Sequence, residues 1–250
     1  MVVTLSRLLA VFSKAETSGR PGQRLARALN EAGPSFIKLG QAMATRSDLL
    51  GEEMSADLSD LQDKLPSFPT GEARAIIEQE FGRPLDSLFS SFEDSAVAAA
   101  SIAQVHFAVT TEGQEVAVKI LRPGIEEAFQ RDLELMRWVA GLIVKAKPEI
   151  QRLKPLECID ALAETVKLEM DLRLEAAAAV EIAENFASDE DFRVPQVDWT
   201  RTGRRVMTTE RLSGIPLDER DALIAAGHDP HMVLQKSSNA SFRQVFRDGF

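Results

Sequence analysis

Between Ile102 and Leu121 the sequence leaves helical periodicity for strand periodicity, and this short stretch decides the class of fold. From Ile102 to Thr110 the residues alternate, with Val105, Phe107 and Val109 sharing one face. A turn at Thr111-Glu112-Gly113-Gln114 follows. Glu115 to Leu121 then alternates again, with Val116, Val118 and Ile120 on one face and Ala117, Lys119 and Leu121 on the other. The pattern predicts an antiparallel hairpin. Most of the remaining chain is helical in character. Residues 5–65 carry apolar stripes at Leu5, Leu8, Leu9 and Phe12 and at Leu25, Ala28 and Leu29, with Pro21 and Pro34 suited to helix starts and Gly33 to a stop. Pro66-Ser67-Phe68-Pro69 is a break, and Thr70 is a candidate N-cap for a helix over 71–81. Helical periodicity returns over 124–146 and 155–186, the latter with an inner stripe of Leu156, Ile159, Ala163 and Val166. Arg193 to Val197 and Arg204 to Glu210 are short strand candidates, and 230–248 reads as helix. Helices, then a small sheet with an inserted helix pair, then helix, make an α+β fold.

Composition narrows the function. The 250 residues carry 29 Lys and Arg against 39 Asp and Glu, a formal charge of −10, which argues against a nucleic-acid-binding module. A single cysteine, Cys158, excludes an intrachain disulfide and a Cys-rich zinc site, and three scattered histidines disfavour a His-based metal centre. No apolar run approaches the roughly 18 residues that span a bilayer. The first sixteen residues are interrupted by Ser6, Arg7, Ser13 and Lys14 and read as an amphipathic helix rather than a secretory signal, which places the chain in the cytoplasm.

Four groups of residues could carry chemistry. Lys119 stands in Val116-Ala117-Val118-Lys119, a β-branched strand of the kind that holds a phosphate-binding lysine; taken alone, a strand lysine is usually a solvated edge residue. Ala98-Ala99-Ala100-Ser101 is a small-residue turn that could approach phosphates, or a packing contact; alanine resists the positive φ that glycine allows. Glu169, Asp171 and Glu175 lie along the 155–186 helix, and carboxylates turned towards a core need a cationic partner; a solvated acidic face is the alternative. Lys38 and Gln41 share a helical face in Lys38-Leu39-Gly40-Gln41, where a mid-helix glycine costs about 1 kcal/mol and implies close approach of a neighbour. His106 reads as structural, Cys158 as a buried small hydrophobe, and His228, His231, Arg204 and Arg205 as surface residues.

Taken together, Pro34 to Gln41, Ala98 to Ser101 with Gln104-Val105-His106, Val116 to Lys119, and Glu169-Met170-Asp171 with Glu175 resemble the UbiB/ADCK family of atypical protein-kinase-like proteins over roughly residues 30–250. The Lys-x-Gly-Gln and Glu-x-Asp pair and the alanine-rich loop are highly specific to that family. The resemblance implies an atypical kinase-like fold: a helical extension over 1–70, a small lobe over 71–210 and the hinge with the start of the large lobe over 211–250. It implies that Lys119 contacts ATP phosphates, Glu175 is its ion-pair partner and Ala98, Ala99, Ala100 and Ser101 cover the nucleotide. The backbone of Glu210 and Leu212 would bond adenine at the hinge. Lys38 and Gln41 would belong to an extension packed over the peptide groove, meeting Glu169 and Asp171. Ala103 stands where a glycine is common in the family and stiffens the loop. The kinase catalytic loop and second metal-binding Asp do not appear before Phe250, so the chain reads as an amino-terminal portion with its Mg²⁺ ligands downstream. The implied function is ATP hydrolysis in support of ubiquinone or isoprenoid-lipid biosynthesis, with the protein peripheral to the inner membrane and in contact with lipid or other ubiquinone-biosynthesis proteins. A non-catalytic nucleotide- or lipid-binding scaffold is the rival reading.

Overall fold

The structure, a computed structural model, describes residues 19–59, 61 and 66–249. The apolar stripe expected at Leu5, Leu8, Leu9 and Phe12 lies outside the described residues. The chain opens with four helices, α1 Pro21–Ala32, α2 Pro34–Ala44, α3 Ser47–Leu50 and α4 Glu52–Ser59. Pro21 and Pro34 occupy the first positions of α1 and α2, where a missing N–H costs nothing. Gly33 joins them at φ 114°, a conformation that excludes side chains, so the stop expected there has a steric cause. Helix α5, Thr70–Phe81, starts one residue earlier than the sequence suggests. Pro69 takes the N-cap position, and the Thr70 hydroxyl instead donates to the Asp94 carbonyl.

The sheet follows: β1 Phe89–Phe92, β2 Ala98–Ala99, β3 Ala103–Thr110 and β4 Glu115–Leu121. After the helices α6 Ile125–Ala146, α7 Pro155–Glu169 and α8 Leu172–Asn185, the chain returns as β5 Val206–Glu210. Strand order is β1-β3-β4-β5, all neighbours antiparallel, with β2 continuing the edge of β3. The expected hairpin is β3–β4, in register from Ala103 opposite Leu121 to Val109 opposite Glu115. Two helices, α9 Arg220–Ala225 and α10 Pro230–Arg243, close the description, with a π-helical turn over Gln244–Asp248. Lys236 and Arg243 of α10 pair with Asp191 and Asp189 after α8, joining this last part to the small lobe.

The sheet has two unlike faces. Ala108, Val116, Val118, Ile120 and Val206 pack with Ala73, Ile76 and Ile77 of α5. On the other face Ala103, Leu121 and Met207 join a larger core containing α6, α7, Leu172 and Ala176 of α8, and Leu29 and Phe36 of the helical extension. The two faces of β3 are unequally buried. Gln104, His106, Ala108 and Thr110 are the buried positions, and Val105, Phe107 and Val109 are only half-buried. Polar residues tolerate that burial because they satisfy one another. Gln104 accepts from the Phe68 N–H at 2.9 Å and donates to the Phe68 carbonyl at 3.3 Å and to His106 Nε2 at 2.8 Å. His106 Nδ1 in turn donates to the Glu93 carbonyl at 2.8 Å.

That network closes only with a neutral imidazole, since protonation would turn Nε2 into a donor facing the Gln104 amide. Burial lowers the His106 pKa, more than the hydrogen bond to Glu93 raises it, with nearby Arg74 lowering it further and Asp94 and Glu93 opposing. A histidine held neutral stabilises the fold fully above the unfolded pKa, near 6.5, and that contribution is lost as pH falls from there towards the lowered folded value. Thermal melts between about pH 7 and pH 5 are expected to show a falling midpoint in the wild type and a shallower slope in His106→Gln. Equal slopes would show that His106 is not the titrating group.

Further corrections concern the helices and strand candidates. The 155–186 segment is two helices, because Asp171 (φ −123°, ψ 94°) breaks it and accepts from the Arg173 N–H as the N-cap of α8. The freed Leu172 N–H is taken by the Arg204 carbonyl at 2.9 Å. The inner stripe of α7 is Ile159, Leu162 and Val166, while Leu156 is exposed at the start of the helix. Cys158 is likewise exposed rather than buried. Of the Arg193–Val197 candidate, the sheet takes a single bridge, Val197 to Thr209.

Candidate functional site

Lys119 lies on the half-covered face of β4, with Val105 of β3 and Met207 of β5 directly across from it. Residues opposite each other in an antiparallel ladder share a face, so Ala98, which pairs with Val105, shares it too. Helix α8 crosses this face, seated by the fully buried Leu172 and Ala176. One position before Ala176, Glu175 meets Lys119: the ammonium donates to Oε1 at 2.6 Å and Oε2 at 2.7 Å. The break at Asp171 sets this meeting, because it reorients α8 relative to α7. An ammonium has three donors. Two engage the carboxylate, and the third is available to an anionic ligand on the same face.

The Ala98–Ser101 segment is more ordered than a turn. Ala98 and Ala99 form β2, and the chain reverses through Ala100, Ser101 and Ile102, with the Ala100 N–H donating to the Ala103 carbonyl at 2.8 Å. At the far end of β5, Glu210 donates its N–H to the Gln196 carbonyl at 2.8 Å, and its carboxylate pairs with Arg193. Leu212 lies two residues on, exposed, and among the described residues no backbone hydrogen bond takes its N–H. Arg211 between them lays its guanidinium 3.8 Å from the centre of the Phe107 ring, covering the apolar face of β3.

The helical extension reaches the same region from the other side. Lys38 of α2 pairs with Glu169, the last residue of α7, at 3.1 Å. Their side chains are 19% and 31% exposed, so the pair is partly shielded from solvent. Gly40 lies against Leu29 and Leu61: a Cβ there would come within 2.8 Å and 2.3 Å of their Cδ1 atoms. The close neighbours implied by this glycine are therefore core leucines, not a ligand. Ser35 of α2 also donates to Asp132 of α6 at 2.6 Å. Among the described residues, no hydrogen bond or ion pair joins Asp171 to the extension. Its carboxylate is clamped by the Arg173 guanidinium at 2.8 and 2.6 Å, which holds it below the usual carboxylate range despite slight burial. Gln41 is half-buried one turn after Lys38, with no side-chain hydrogen bond among the described residues.

Two arginines escaped the sequence reading. Arg122, just past β4, donates to the Ala100 carbonyl at 3.1 and 2.8 Å and to the Pro66 carbonyl at 2.9 Å. Arg201 is buried beneath the β3–β4 turn. An arginine close after the Val-Ala-Val-Lys strand and small-residue turn was a signal available for the first; nothing local marks the second.

A sheet lysine gripped by a helix glutamate, beside a small-residue hairpin and a strand that leads out of the lobe, defines a protein-kinase-like small lobe. The comparisons carry this further. The sequence profile of the ABC1 atypical kinase-like domain matches residues 60–250, and the chain belongs to that family. It is 43% identical over 229 residues to a Marinobacter nauticus protein named "Probable protein kinase UbiB", and 40% identical over 230 residues to a Vibrio cholerae protein of the same name. Each alignment covers 92% of this chain and 42% of the relative, so the chain spans about two fifths of the length of the curated relatives it matches. A solved Mycobacterium tuberculosis structure, a complex of Rv3197 with erythromycin, matches with a TM-score of 0.52 and 32% identity over 75% of this chain and 46% of that one. The UbiB resemblance and the α+β kinase-like architecture read from the sequence are both upheld.

Proposed function

We propose that these residues are the nucleotide-binding small lobe and helical extension of an atypical kinase of the UbiB type. The observation that carries this is the Lys119–Glu175 pair on the open face of the sheet. Lys119 offers its remaining N–H to a phosphate of ATP, the Ala98–Ser101 hairpin covers the phosphates, and the backbone at Glu210 and Leu212 receives the adenine. The Glu210 N–H is already engaged, which leaves its carbonyl and the Leu212 N–H for this role. The residues present fit a nucleotide in this sense. They do not fit a metal centre: among the described residues no group of three or more His, Cys, Asp or Glu side chains is placed to hold an ion.

In the whole protein, ATP turnover would support ubiquinone or isoprenoid-lipid biosynthesis. Lys38 and Glu169 would hold the extension over the groove where a kinase receives a peptide, which favours ATP hydrolysis over protein phosphorylation. No helix among the described residues is long and apolar enough to cross a membrane, and the proposed site of action is peripheral to one. The test combines calorimetric titration of the 250-residue chain with ATP and a phosphate-release assay. No segment of the chain matches a catalytic loop with its Asp base and metal-binding Asn. Binding without turnover is therefore expected. Turnover that disappears in Lys119→Ala would place the catalytic groups within these residues and overturn the second half of the proposal.

A further inference from the structure

The face of the sheet that carries Lys119 is covered at one end and open at the other. Ala103, Leu121 and Met207 are buried in the larger core. Further along, Phe107, Ala117 and Thr209 stand across from one another on β3, β4 and β5, and all three are only half-buried. Side chains of a strand alternate between faces, so along β4 Ala117 separates Lys119 from Glu115, where the strand begins. A ligand that touches both Lys119 and the backbone beyond β5 therefore lies over Ala117.

Arg211 already reaches across this strip. Its N–H continues the ladder by donating to the Glu115 carbonyl at 3.1 Å, which sets it level with Glu115. Its guanidinium carbon stands 3.8 Å from the centre of the Phe107 ring. That is van der Waals contact, and no third flat group fits between the two. Neighbouring strands lie about 4.8 Å apart, so a side chain rooted beyond β5 that touches a β3 ring has crossed β4. It crosses on a diagonal, from the level of Glu115 to that of Ala117, because Phe107 pairs with Ala117. The hold is weak, and the guanidinium has somewhere else to go. The Arg211 side chain is 37% exposed, and Nη1 lies 3.8 Å from Oε2 of Glu115, whose own side chain is open to solvent. A guanidinium that leaves Phe107 can close on that carboxylate and keep its charge partnered.

Resting on the nucleotide reading above, we propose that Arg211 is a self-occluding gate for the base. Stacked on Phe107, it covers the hinge end of the nucleotide seat, and the base enters as the guanidinium swings off the ring towards Glu115. The gate acts on the base and not on the phosphates, which Lys119 receives further along the face. Its sign is distinctive. A cation beside a polyanionic ligand ordinarily favours binding, so its loss should weaken ATP; loss of a gate tightens the base.

The experiment titrates wild type, Phe107→Leu and Arg211→Ala with ATP, adenosine and inorganic tripolyphosphate. Phe107→Leu keeps the charge and removes the ring. It is expected to tighten ATP and adenosine about two- to fivefold, the scale of an exposed cation–π contact, and to leave tripolyphosphate within about twofold of the wild type. Arg211→Ala is expected to tighten adenosine by the same factor and ATP by less, because a positive charge leaves with the gate. In the wild type the NMR signal of the Arg211 Nε–H, displaced by the Phe107 ring current, is expected to move to its ordinary position as ATP is added. Weaker adenosine binding in both variants would make Arg211 a platform for the base and overturn the gate. So would an Arg211 signal that stays in place at saturating ATP. If both variants bind every ligand as the wild type does while Lys119→Ala loses ATP, the nucleotide reading stands and the gate alone fails. If the wild type binds neither ATP nor adenosine, both fail.

Discussion

Lys119→Ala is expected to lower ATP affinity by about 10- to 100-fold while moving the thermal midpoint by no more than about 2 °C. The two halves of this expectation have separate origins. A hydrogen bond to a charged group contributes about 1.5–3 kcal/mol when its partner is otherwise unmet, and each 1.4 kcal/mol is tenfold in affinity. In the folded, unliganded chain the Lys119 and Glu175 side chains are 30% and 50% exposed. An ion pair that open to solvent contributes about 0–1 kcal/mol to stability, so its loss barely shifts the melt. Glu175→Ala should weaken ATP less than Lys119→Ala, because the ammonium survives and only its anchor is lost. Calorimetry for affinity and a melt for stability check both statements. A Lys119→Ala chain that binds ATP as the wild type does would remove the observation on which the functional reading rests.

How far the sequence foretold this site depended on whether the chemistry was local. The β3–β4 hairpin was readable because its alternation and its glycine turn lie within twenty consecutive residues. Its orientation was not: Val105, Phe107 and Val109 outrank Gln104 and His106 in hydrophobicity, yet the latter are buried because Phe68 and Glu93, distant in sequence, complete their hydrogen bonds. The same limit applies to the carboxylates. Periodicity joined 155–186 into one helix, and only the N-cap preference of Asp171 hinted at the break that turns Glu175 towards the sheet. The resemblance set Glu169 and Asp171 against the extension without naming their partners; Lys38 pairs with Glu169, and the Asp171 carboxylate pairs with Arg173. Gly40 was read as a close approach, and only coordinates could show that core leucines make it.

The extension is built into the lobe rather than appended to it. Leu29 and Phe36 share one core with Leu133 of α6 and Val166 of α7, and the Ser35–Asp132 and Lys38–Glu169 contacts tie the first half of α2 to α6 and α7. Glu169 ends α7 two residues before the N-cap of α8, so the contact that holds the extension and the residue that holds Lys119 belong to one continuous turn of chain. Met170 and Leu172, both buried, tie the stretch between Glu169 and Glu175 into that core.

Arg201→Met is expected to destabilise the fold by about 3 kcal/mol, a fall of roughly 10 °C in the melting midpoint, without changing ATP affinity in the folded fraction. Arg201 is the hub of the end of the sheet away from Ala98. It donates to the Leu88 carbonyl at 2.8 Å, Asp198 at 2.7 Å, the Thr111 hydroxyl at 3.0 Å and Glu112 at 2.6 Å. Its side chain is 9% exposed and that of Asp198 17%. Burial works to raise the Asp198 pKa, but hydrogen bonds from Thr200 and Arg201 hold it below the ordinary value. Removing the guanidinium leaves that carboxylate and the Leu88 carbonyl shielded from water and short of donors, a loss of about 3–5 kcal/mol for a fully buried pair and nearer the lower end here. Methionine keeps the apolar stem against Phe89, so the change isolates the polar contribution. Lysine should not rescue, since a point charge cannot serve several acceptors spread over a planar fork. Urea melts of Arg201→Met and Arg201→Lys decide it: a loss below about 1 kcal/mol in both would mean that water replaces the arginine and that the hub is not a structural requirement.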